Sequence, residues 1–153
     1  MKQDIFVKKV ENIDECKMCN NLLTELISYE TSFDNTIIPN MHIEDYYERT
    51  LNRDDSVLFL ALSRDKAIGY VMAYNQSMKR SNERVTTIMH LYVKAEFRGK
   101  GIGRQLIDQV EKWANKENTT LIELDCFIDN KSAIEFYSKL DYKPIRLKLR
   151  KRI

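Results

Sequence analysis

The chain has 153 residues, of which 43% are hydrophobic and 31% charged, and this predicts a single globular domain over residues 1–153. Its 25 basic and 23 acidic residues leave a formal net charge of +2, which is too balanced to predict a nucleic-acid partner or an anionic membrane. No apolar stretch approaches the roughly 20 residues of a membrane span, and the N-terminus has no signal-peptide pattern, so we expect a cytoplasmic protein.

Hydrophobic periodicity predicts strands and helices that alternate along the chain. Asn12 and Glu15 have the spacing of a helix-capping pair, and Arg64-Asp65-Lys66 is expected to turn a hairpin. The predicted strands are 4–10, 56–63, 67–76, 83–93, 120–127 and 142–152. The predicted helices are 13–28, 42–51, one that begins after the glycine-rich stretch and ends near Lys116, and a short one opened by Asn130. This order indicates an α/β domain with a mixed sheet.

The three cysteines fit a reducing compartment better than a disulfide framework. Cys16 and Cys19 form a CxxC pair, but they recur at helical spacing with Leu23 and Leu26. We therefore expect both thiols in the core, and we predict neither a redox site nor a metal site. The further sulfur and nitrogen ligands in the chain are Cys126, His42 and His90.

One stretch, 98-RGKGIG-103, holds three of the four glycines in the chain. It lies between the predicted strand 83–93 and a helix, and the first turn of a helix presents unpaired N–H groups and a partial positive charge. Such a loop suits a phosphate group, and glycine lets that group approach the backbone. The spacing matches neither a Walker A loop nor a Rossmann loop, since Lys100 is followed by glycine and the third Rossmann glycine is missing.

The stretch HLYVKAEFRGKGIGRQLI resembles the central motif of the GNAT superfamily of N-acetyltransferases, Q/R-x-x-G-x-G/A, in which Arg98, Gly101 and Gly103 occupy the fixed positions. Downstream, NKSAIEFYSKLDYKP is similar to the family pattern NxxAxxFYxKxGF. Asp141 stands where that pattern usually has glycine, and Asp accepts the left-handed backbone conformation that can end a helix. The resemblance implies an α/β, single-domain GNAT-like fold with a mixed central β-sheet flanked by helices.

The same resemblance implies acetyl-CoA as the cosubstrate and no metal. In the family, the strand before the loop separates from its neighbour and its free main-chain groups pair with the pantetheine arm; Leu91 and Val93 match those positions. The N–H groups of 99–104 then hold the pyrophosphate, and the Leu91 N–H lies near the acyl carbonyl, where it stabilises the oxyanion. The residues implied to bind the cofactor are Leu91, Val93, Arg98, Gly99, Lys100, Gly101, Ile102, Gly103, Arg104 and Asn130.

Two proton transfers need catalytic groups. The family commonly uses the tyrosine that matches Tyr137 to protonate the departing thiolate; the alternative is a core aromatic residue beside Phe136. Many relatives place an acidic residue at the end of the strand before the loop, where this chain has Met89-His90. His90 is the candidate base because its unperturbed pKa lies near neutrality, and a structural histidine is the alternative. Its rivals are Glu83, Asp125 and a water relay.

The expected function is transfer of an acetyl group from acetyl-CoA to a primary amine by direct attack in a ternary complex. A catalytically weak CoA-binding sensor of the same fold is the alternative, because this chain lacks the acidic residue that many relatives have at the end of the strand before the loop. The identity of the acceptor stays open. An acidic group of residues with one aromatic suits a cationic amine, or is simply a solvated helix face. Its members are Tyr29, Glu30, Asp34, Glu44, Asp45 and Glu48.

The C-terminal stretch RLKLRKR alternates basic with apolar residues. We expect it to be an edge strand whose exposed charges discourage aggregation. Neither a nucleic acid nor a membrane is expected as a partner, and assembly into a homodimer is left open.

Overall fold

The computed structural model describes residues 4–153. Its strands are β1 Ile5–Lys9, β2 Ser56–Ser63, β3 Lys66–Ser77, β4 Arg84–Val93 and β5 Leu121–Leu124. Its helices are α1 Ile13–Glu30, α2 Ile102–Lys116 and α3 Lys131–Ser138, with single 3-10 turns at Glu48–Thr50 and Ala95–Phe97.

The five strands form one mixed sheet in the order β1-β2-β3-β4-β5. The pairs from β1 to β4 are antiparallel, whereas β4 and β5 are parallel. The crossover from β4 to β5 contains α2, as a parallel pair requires. The predicted α/β fold with a mixed sheet flanked by helices is confirmed.

Each face of the sheet buries its own core. Side chains alternate along β2, so that Leu58 and Leu60 pack against α1 while Val57 and Phe59 pack against α2. We call these two sides of the sheet the α1 face and the α2 face. Helix α1 begins where predicted, with Asn12 Oδ1 accepting the N–H of the third helical residue at 2.9 Å. The two thiols of the CxxC pair are buried in the core of the α1 face, as expected.

The predicted helix over 42–51 is wrong. The chain forms turns there, and only Glu48–Thr50 makes a single 3-10 turn. Asp45 has a φ of 52°, which an α-helix does not accept. Tyr47 is completely buried against the sheet, so packing of that ring outweighs the helical preference of its neighbours.

The predicted strand over 142–152 is also wrong. No residue of 143–153 pairs with the sheet, and the whole segment is exposed. The preceding strand is shorter than predicted, since it spans Leu121–Leu124 instead of 120–127. The far edge of β5 therefore lacks a paired strand among residues 4–153.

Candidate active site

A β-bulge sets the geometry at the end of β4. Met89 has no partner on β3, since the register shifts by one residue there. Because side chains alternate between faces, the extra residue reverses the face that each later side chain takes. His90 and Tyr92 consequently lie on the α1 face, where the ring centroid of His90 is 5.9 Å from that of Tyr46. Leu91 packs on the α2 face.

Strands β4 and β5 separate just beyond this bulge. Their last parallel pair is Ile88 with Leu124, and residues 89–93 have no strand on that side. We call the opening between 89–93 and the residues that follow β5 the β4–β5 gap. The family resemblance implied such a separation before the glycine loop.

The main-chain groups of Leu91 and Val93 face the β4–β5 gap. The Lys94 N–H donates to the Ile68 carbonyl at 2.9 Å, and hydrogen-bonded pairs alternate along an antiparallel ladder. Leu91 and Val93 therefore form no ladder hydrogen bonds with β3, and their N–H and C=O groups point away from β3, into the β4–β5 gap. The Val93 carbonyl accepts a hydrogen bond of 2.8 Å from Arg98 Nε, which leaves the Val93 N–H and both Leu91 groups available to a ligand.

The glycine loop leads from β4 into α2 with its amides unpaired. Gly99 and Gly101 have φ values of 73° and 78°, in the left-handed region that favours glycine. A Cβ atom added to either would meet nothing within 4 Å, so open space lies beside both. Within residues 4–153, no carbonyl or side chain accepts a hydrogen bond from the N–H groups of 99–104. Unpaired amides at a helix N-terminus are suited to an anion.

Gly103 and Ile102 have packing roles besides their amides. A Cβ atom on Gly103 would lie 3.1 Å from Cζ of Phe136, so glycine there lets α3 pack against the first turn of α2. The Ile102 side chain is buried in the core of the α2 face and can offer a ligand only its backbone.

Three of the residues implied to bind the cofactor are basic, and their side chains make different contacts. The Arg98 guanidinium lies 4.5 Å from the centroid of Tyr29 and bridges the loop to α1. Lys100 Nζ lies 5.0 Å from the centroid of Phe97, and Arg104 forms an ion pair one turn along α2. All three side chains are exposed. Lys100 and Arg104 lie beside the unpaired amides, whereas Arg98 Nε donates to the Val93 carbonyl of β4.

Asn130 caps α3. Its Oδ1 accepts the Ala133 N–H at 3.2 Å and the Ser132 hydroxyl at 3.1 Å. The cap explains why the motif needs this residue type, because Asn at an N-cap satisfies one of the unpaired amides. The implied contact of Asn130 with the cofactor stays a prediction.

Tyr137 lies on α3 between the rings of Phe136 and Tyr142, with centroids 5.1 and 5.8 Å away. Its hydroxyl forms no hydrogen bond with residues 4–153. Burial, together with the nearby Cys126 thiol, raises the pKa of Tyr137 well above its ordinary value. The hydroxyl is therefore protonated at neutral pH, as a proton donor must be.

His90 belongs to a buried group of hydroxyls that the sequence did not indicate. Its Nδ1 lies 2.7 Å from the hydroxyl of Tyr47, which in turn donates to the hydroxyl of Tyr70 at 3.0 Å. With the Tyr47 proton directed to Tyr70, Nδ1 of His90 carries the proton that Tyr47 accepts, and Nε2 keeps a free lone pair. Burial lowers the pKa of His90 to about 4.

The sequence did not reveal this group because its members come from distant segments. Tyr47 lies in the irregular segment 42–51 and Tyr70 in β3, and only tertiary packing brings them to His90. A further contact joins the Tyr92 hydroxyl to Glu25 of α1 at 3.3 Å, and it too has no local sequence signal.

The two acidic rivals of His90 are separated by the fold. Glu83 precedes β4, seven residues before His90, which is roughly 20 Å along a strand. Glu83 is therefore wrong as a base at the β4–β5 gap. Asp125 directly follows β5 and is exposed where the gap opens, so it remains a candidate.

The acidic group predicted to bind a cationic acceptor contains carboxylates that are bound to other side chains and carboxylates that are exposed. Both carboxylate oxygens of Glu48 accept from Asn20 Nδ2, at 3.0 and 2.9 Å. Asp34 accepts two hydrogen bonds of 2.9 Å from Arg150, and these lower its pKa well below the usual range. Glu30 is half-buried at the end of α1, and burial raises its pKa. The two remaining carboxylates, Glu44 and Asp45, are exposed.

Two kinds of feature are missing from the described part of the chain. No three side chains of the Asp, Glu, His and Cys types converge within residues 4–153 as a metal site would need. No helix in the same range combines the length and apolar character needed to cross a bilayer.

The sequence of residues 23–142 matches the family model described as "Acetyltransferase (GNAT) family". The chain belongs to this family. The match begins within α1 and ends just after α3, so it includes the β4–β5 gap, the glycine loop and Tyr137.

Among individual proteins, the chain is 31% identical over 99 residues to an uncharacterized N-acetyltransferase of Methanocaldococcus jannaschii. That match covers 64% of this chain and 44% of the relative, so the chain spans less than half of that protein's length.

Solved structures show the same fold at low identity. The BH1408 protein of Bacillus halodurans superimposes with a TM-score of 0.87 at 15% identity, over 97% of this chain and 99% of that one. Aminoglycoside N-acetyltransferase AAC(6')-Iy, solved in complex with CoA, gives a TM-score of 0.77 at 17% identity, over 100% of this chain and 97% of that one. At identities of 15% and 17%, the similarity of these structures to this chain shows a shared fold and nothing beyond it.

Proposed function

We propose that the chain is an acetyl-CoA-dependent N-acetyltransferase that acetylates a primary amine by direct attack in a ternary complex. One observation carries the proposal: the free N–H and C=O of Leu91 and the free N–H of Val93 lie at the β4–β5 gap, one short turn before the unpaired amides of the glycine loop. An extended amide-bearing arm that ends in a pyrophosphate requires these two features in this order. The CoA complex of a protein with the same fold supports the choice of cofactor.

The residues present fit CoA. The amides of 99–104 would hold the pyrophosphate, because they are unpaired and Gly99 and Gly101 leave open space beside them. Lys100 and Arg104 are exposed and add positive charge there. The main-chain groups of Leu91 and Val93 would pair with the pantetheine arm, and Arg98 braces the Val93 carbonyl. When bound, acetyl-CoA supplies the activated acetyl group.

Tyr137 would donate the proton that quenches the thiolate. Its hydroxyl makes no hydrogen bond with residues 4–153. It is protonated at neutral pH, since burial raises its pKa further above the ordinary value of a tyrosine. The Leu91 N–H would face the acyl oxygen and stabilise negative charge on it.

His90 would align the acceptor amine through Nε2 instead of acting as the base that takes the proton of the amine. A group with a pKa of about 4 is neutral at pH 7 and is a weak base toward an ammonium ion. Tyr47 holds Nδ1 and fixes the ring, so Nε2 can accept a hydrogen bond from the amine or from a water that carries the proton away. Tyr47 is thus a positioning residue.

The missing carboxylate at the end of β4 favours a second candidate, a CoA-binding sensor with little catalysis. Release of the CoA thiol from acetyl-CoA, measured with a panel of polyamines, amino acids, aminoglycosides and peptide N-termini, separates the two. Turnover with at least one amine is expected. CoA binding without turnover on any amine would replace the enzyme with the sensor.

A further inference from the structure

An open cavity of about 230 Å³ lies on the α1 face of the sheet, apart from the β4–β5 gap and the glycine loop. One side is formed by the turn Glu48–Thr50 and the residues that follow it, and the other by the start of β2 and the second half of β3. The lining residues are Arg49, Thr50, Arg53, Ser56, Met72 and Tyr74.

The cavity adjoins the place where the acceptor amine is proposed to lie. Met72 in the cavity wall pairs directly with His90 across the β3–β4 ladder, and both side chains lie on the α1 face. Ser56 at the opposite wall pairs with Tyr74. The spacing of strands and the rise of two residues put the Cα atoms of Ser56 and His90 about 12 Å apart. A ligand of several bonds can therefore reach from His90 into the cavity.

The charges of the cavity wall favour an anion. Arg49 is exposed and forms no ion pair or hydrogen bond within residues 4–153. Arg53 differs, because Asp55 accepts two hydrogen bonds from it, at 2.8 and 2.6 Å, and compensates its charge. The carboxylate next to Arg49 in the chain, that of Glu48, is bound by Asn20. Arg49 thus provides the positive charge that a ligand can use.

A buried hydroxyl in the cavity wall favours a ligand with acceptor oxygens. Ser56 is 8% exposed, and its Oγ atom is buried without a hydrogen-bond partner in the described part of the chain. A buried hydroxyl without a partner costs free energy, and a ligand oxygen that accepts from it removes this cost. A carboxylate can accept from a guanidinium and a hydroxyl at once. Met72 and Tyr74 complete the wall with apolar surface.

We propose that this cavity binds a carboxylate of the acceptor, so that the substrate is an amine with a carboxylate several carbon atoms from its nitrogen. The inference rests on the proposed function. Arg49 and the Ser56 hydroxyl would donate to the carboxylate, and Met72 would contact the carbon chain that leads to the amine at His90 Nε2. The carboxylate binds and orients the acceptor, and the bonds that form and break are those of the proposed function.

The first test compares ω-aminocarboxylates with their carboxamides, which keep the amine and the carbon chain but lack the negative charge. Chains of roughly four to eight carbons suit the distance between His90 and the cavity. Release of the CoA thiol gives kcat/KM for each compound. The native chain is expected to prefer the carboxylate about tenfold, the lower end of what a hydrogen bond to a charged group contributes. Arg49→Gln is expected to remove this preference, and Arg49→Lys to retain most of it.

Arg64→Gln is the matched control, because Arg64 is exposed in the hairpin at the opposite end of β2 and β3. It should keep the native ratio of carboxylate to carboxamide, and the melting temperature checks that each variant folds. Equal kcat/KM for the two compounds in the native chain, a preference that survives in Arg49→Gln, or one that Arg64→Gln removes equally would each overturn the proposal.

A binding measurement separates this inference from the proposed function. Calorimetric titration of the CoA-loaded chain with the same aminocarboxylates needs no turnover, and Arg49→Gln is expected to bind them about tenfold more weakly. Binding that depends on Arg49 without turnover of any amine would support the cavity and overturn the enzyme. Turnover of amines without Arg49-dependent binding of a carboxylate would support the enzyme and overturn the cavity.

Discussion

The two halves of the sheet differ in how completely they are covered. All eight residues of β2 are buried, and α1 packs on that half with six buried residues. At the other end, β5 and α3 contain no fully buried residue. Stability is therefore concentrated in the first half, while the second half has exposed backbone and space.

The less covered half contains the candidate active site. The β4–β5 gap, the glycine loop and Tyr137 all lie there. Unpaired amides and an open strand edge lower the stability of the chain, but they are what an extended CoA arm needs in order to bind. This contrast predicts that substitutions in the first half change stability, whereas those in the second half change binding or rate.

The largest effect is expected from Leu60→Ala in β2. Leu60 is fully buried in the core of the α1 face, so its truncation leaves a cavity and should lower the free energy of unfolding by about 2–5 kcal/mol. Leu121→Ala on β5 should cost less than about 1 kcal/mol, because that side chain is already partly exposed. Denaturant unfolding of both variants measures the two losses of unfolding free energy. Equal losses would contradict the contrast between the two halves.

Gly101→Val should abolish most CoA binding. The branched side chain would occupy the open space beside the loop amides, and loss of charge-assisted hydrogen bonds to the pyrophosphate should weaken CoA about 100-fold. The left-handed φ also strains valine, so the matched control is Asn118→Val, with a φ of 56° at the far end of α2. Calorimetric titration should find native affinity in the control. Native affinity in a folded Gly101→Val protein would contradict the assignment of the loop.

Tyr137→Phe should lower kcat by about 10²-fold, the lower end of what general acid catalysis contributes. Melting temperature and CoA affinity should change little, because the ring is retained. Tyr142→Phe is the control: its hydroxyl is buried without a hydrogen bond, so its removal should leave kcat unchanged. If kcat of Tyr137→Phe stays within about twofold of the native value, the residue is a core aromatic and the sensor gains support.

The pH dependence of stability should report His90. Its pKa is about 4 in the folded protein against an unperturbed value of 6.5, so between these pH values the unfolded chain binds a proton that the folded chain does not. Stability should therefore be full above pH 6.5 and fall as pH drops toward about 4, by about 2 kcal/mol after allowance for partial exposure. The loss should vanish in His90→Gln and persist in the matched His42→Gln.

The same pKa predicts that kcat/KM has no step near pH 6.5 that depends on His90. A step near 6.5 that disappears in His90→Gln would instead make this histidine the base, as the unperturbed pKa had suggested.

The smallest expected effect comes from Asn130→Ala. Loss of the cap should lower the free energy of unfolding by about 1 kcal/mol, as Asn12→Ala should at the start of α1. If Asn130 also contacts the cofactor, Asn130→Ala should weaken CoA binding and Asn12→Ala should not. Parallel unfolding and titration experiments on the two variants decide this.

Much of the fold could be predicted because it depends on local patterns. Strand and helix periodicities located every strand of the sheet and all three helices, and the glycine spacing located the loop. Two elements could not be predicted from the same patterns. The segment 42–51 has helical periodicity, but burial of Tyr47 decides its conformation. The segment 143–153 has the alternation of a strand, but it pairs with no strand within residues 4–153.

The sequence by itself determined the order of the five strands and three helices, the phosphate-binding character of the loop and the family, since these depend on residue types at fixed short spacings. Only the tertiary structure decided that Met89 is a bulge, that His90 consequently faces Tyr47 with a lowered pKa, and that Glu83 is remote from the gap. The physical reason is that strand register, burial and the pairing of an edge depend on groups far apart in the chain, which no local pattern records.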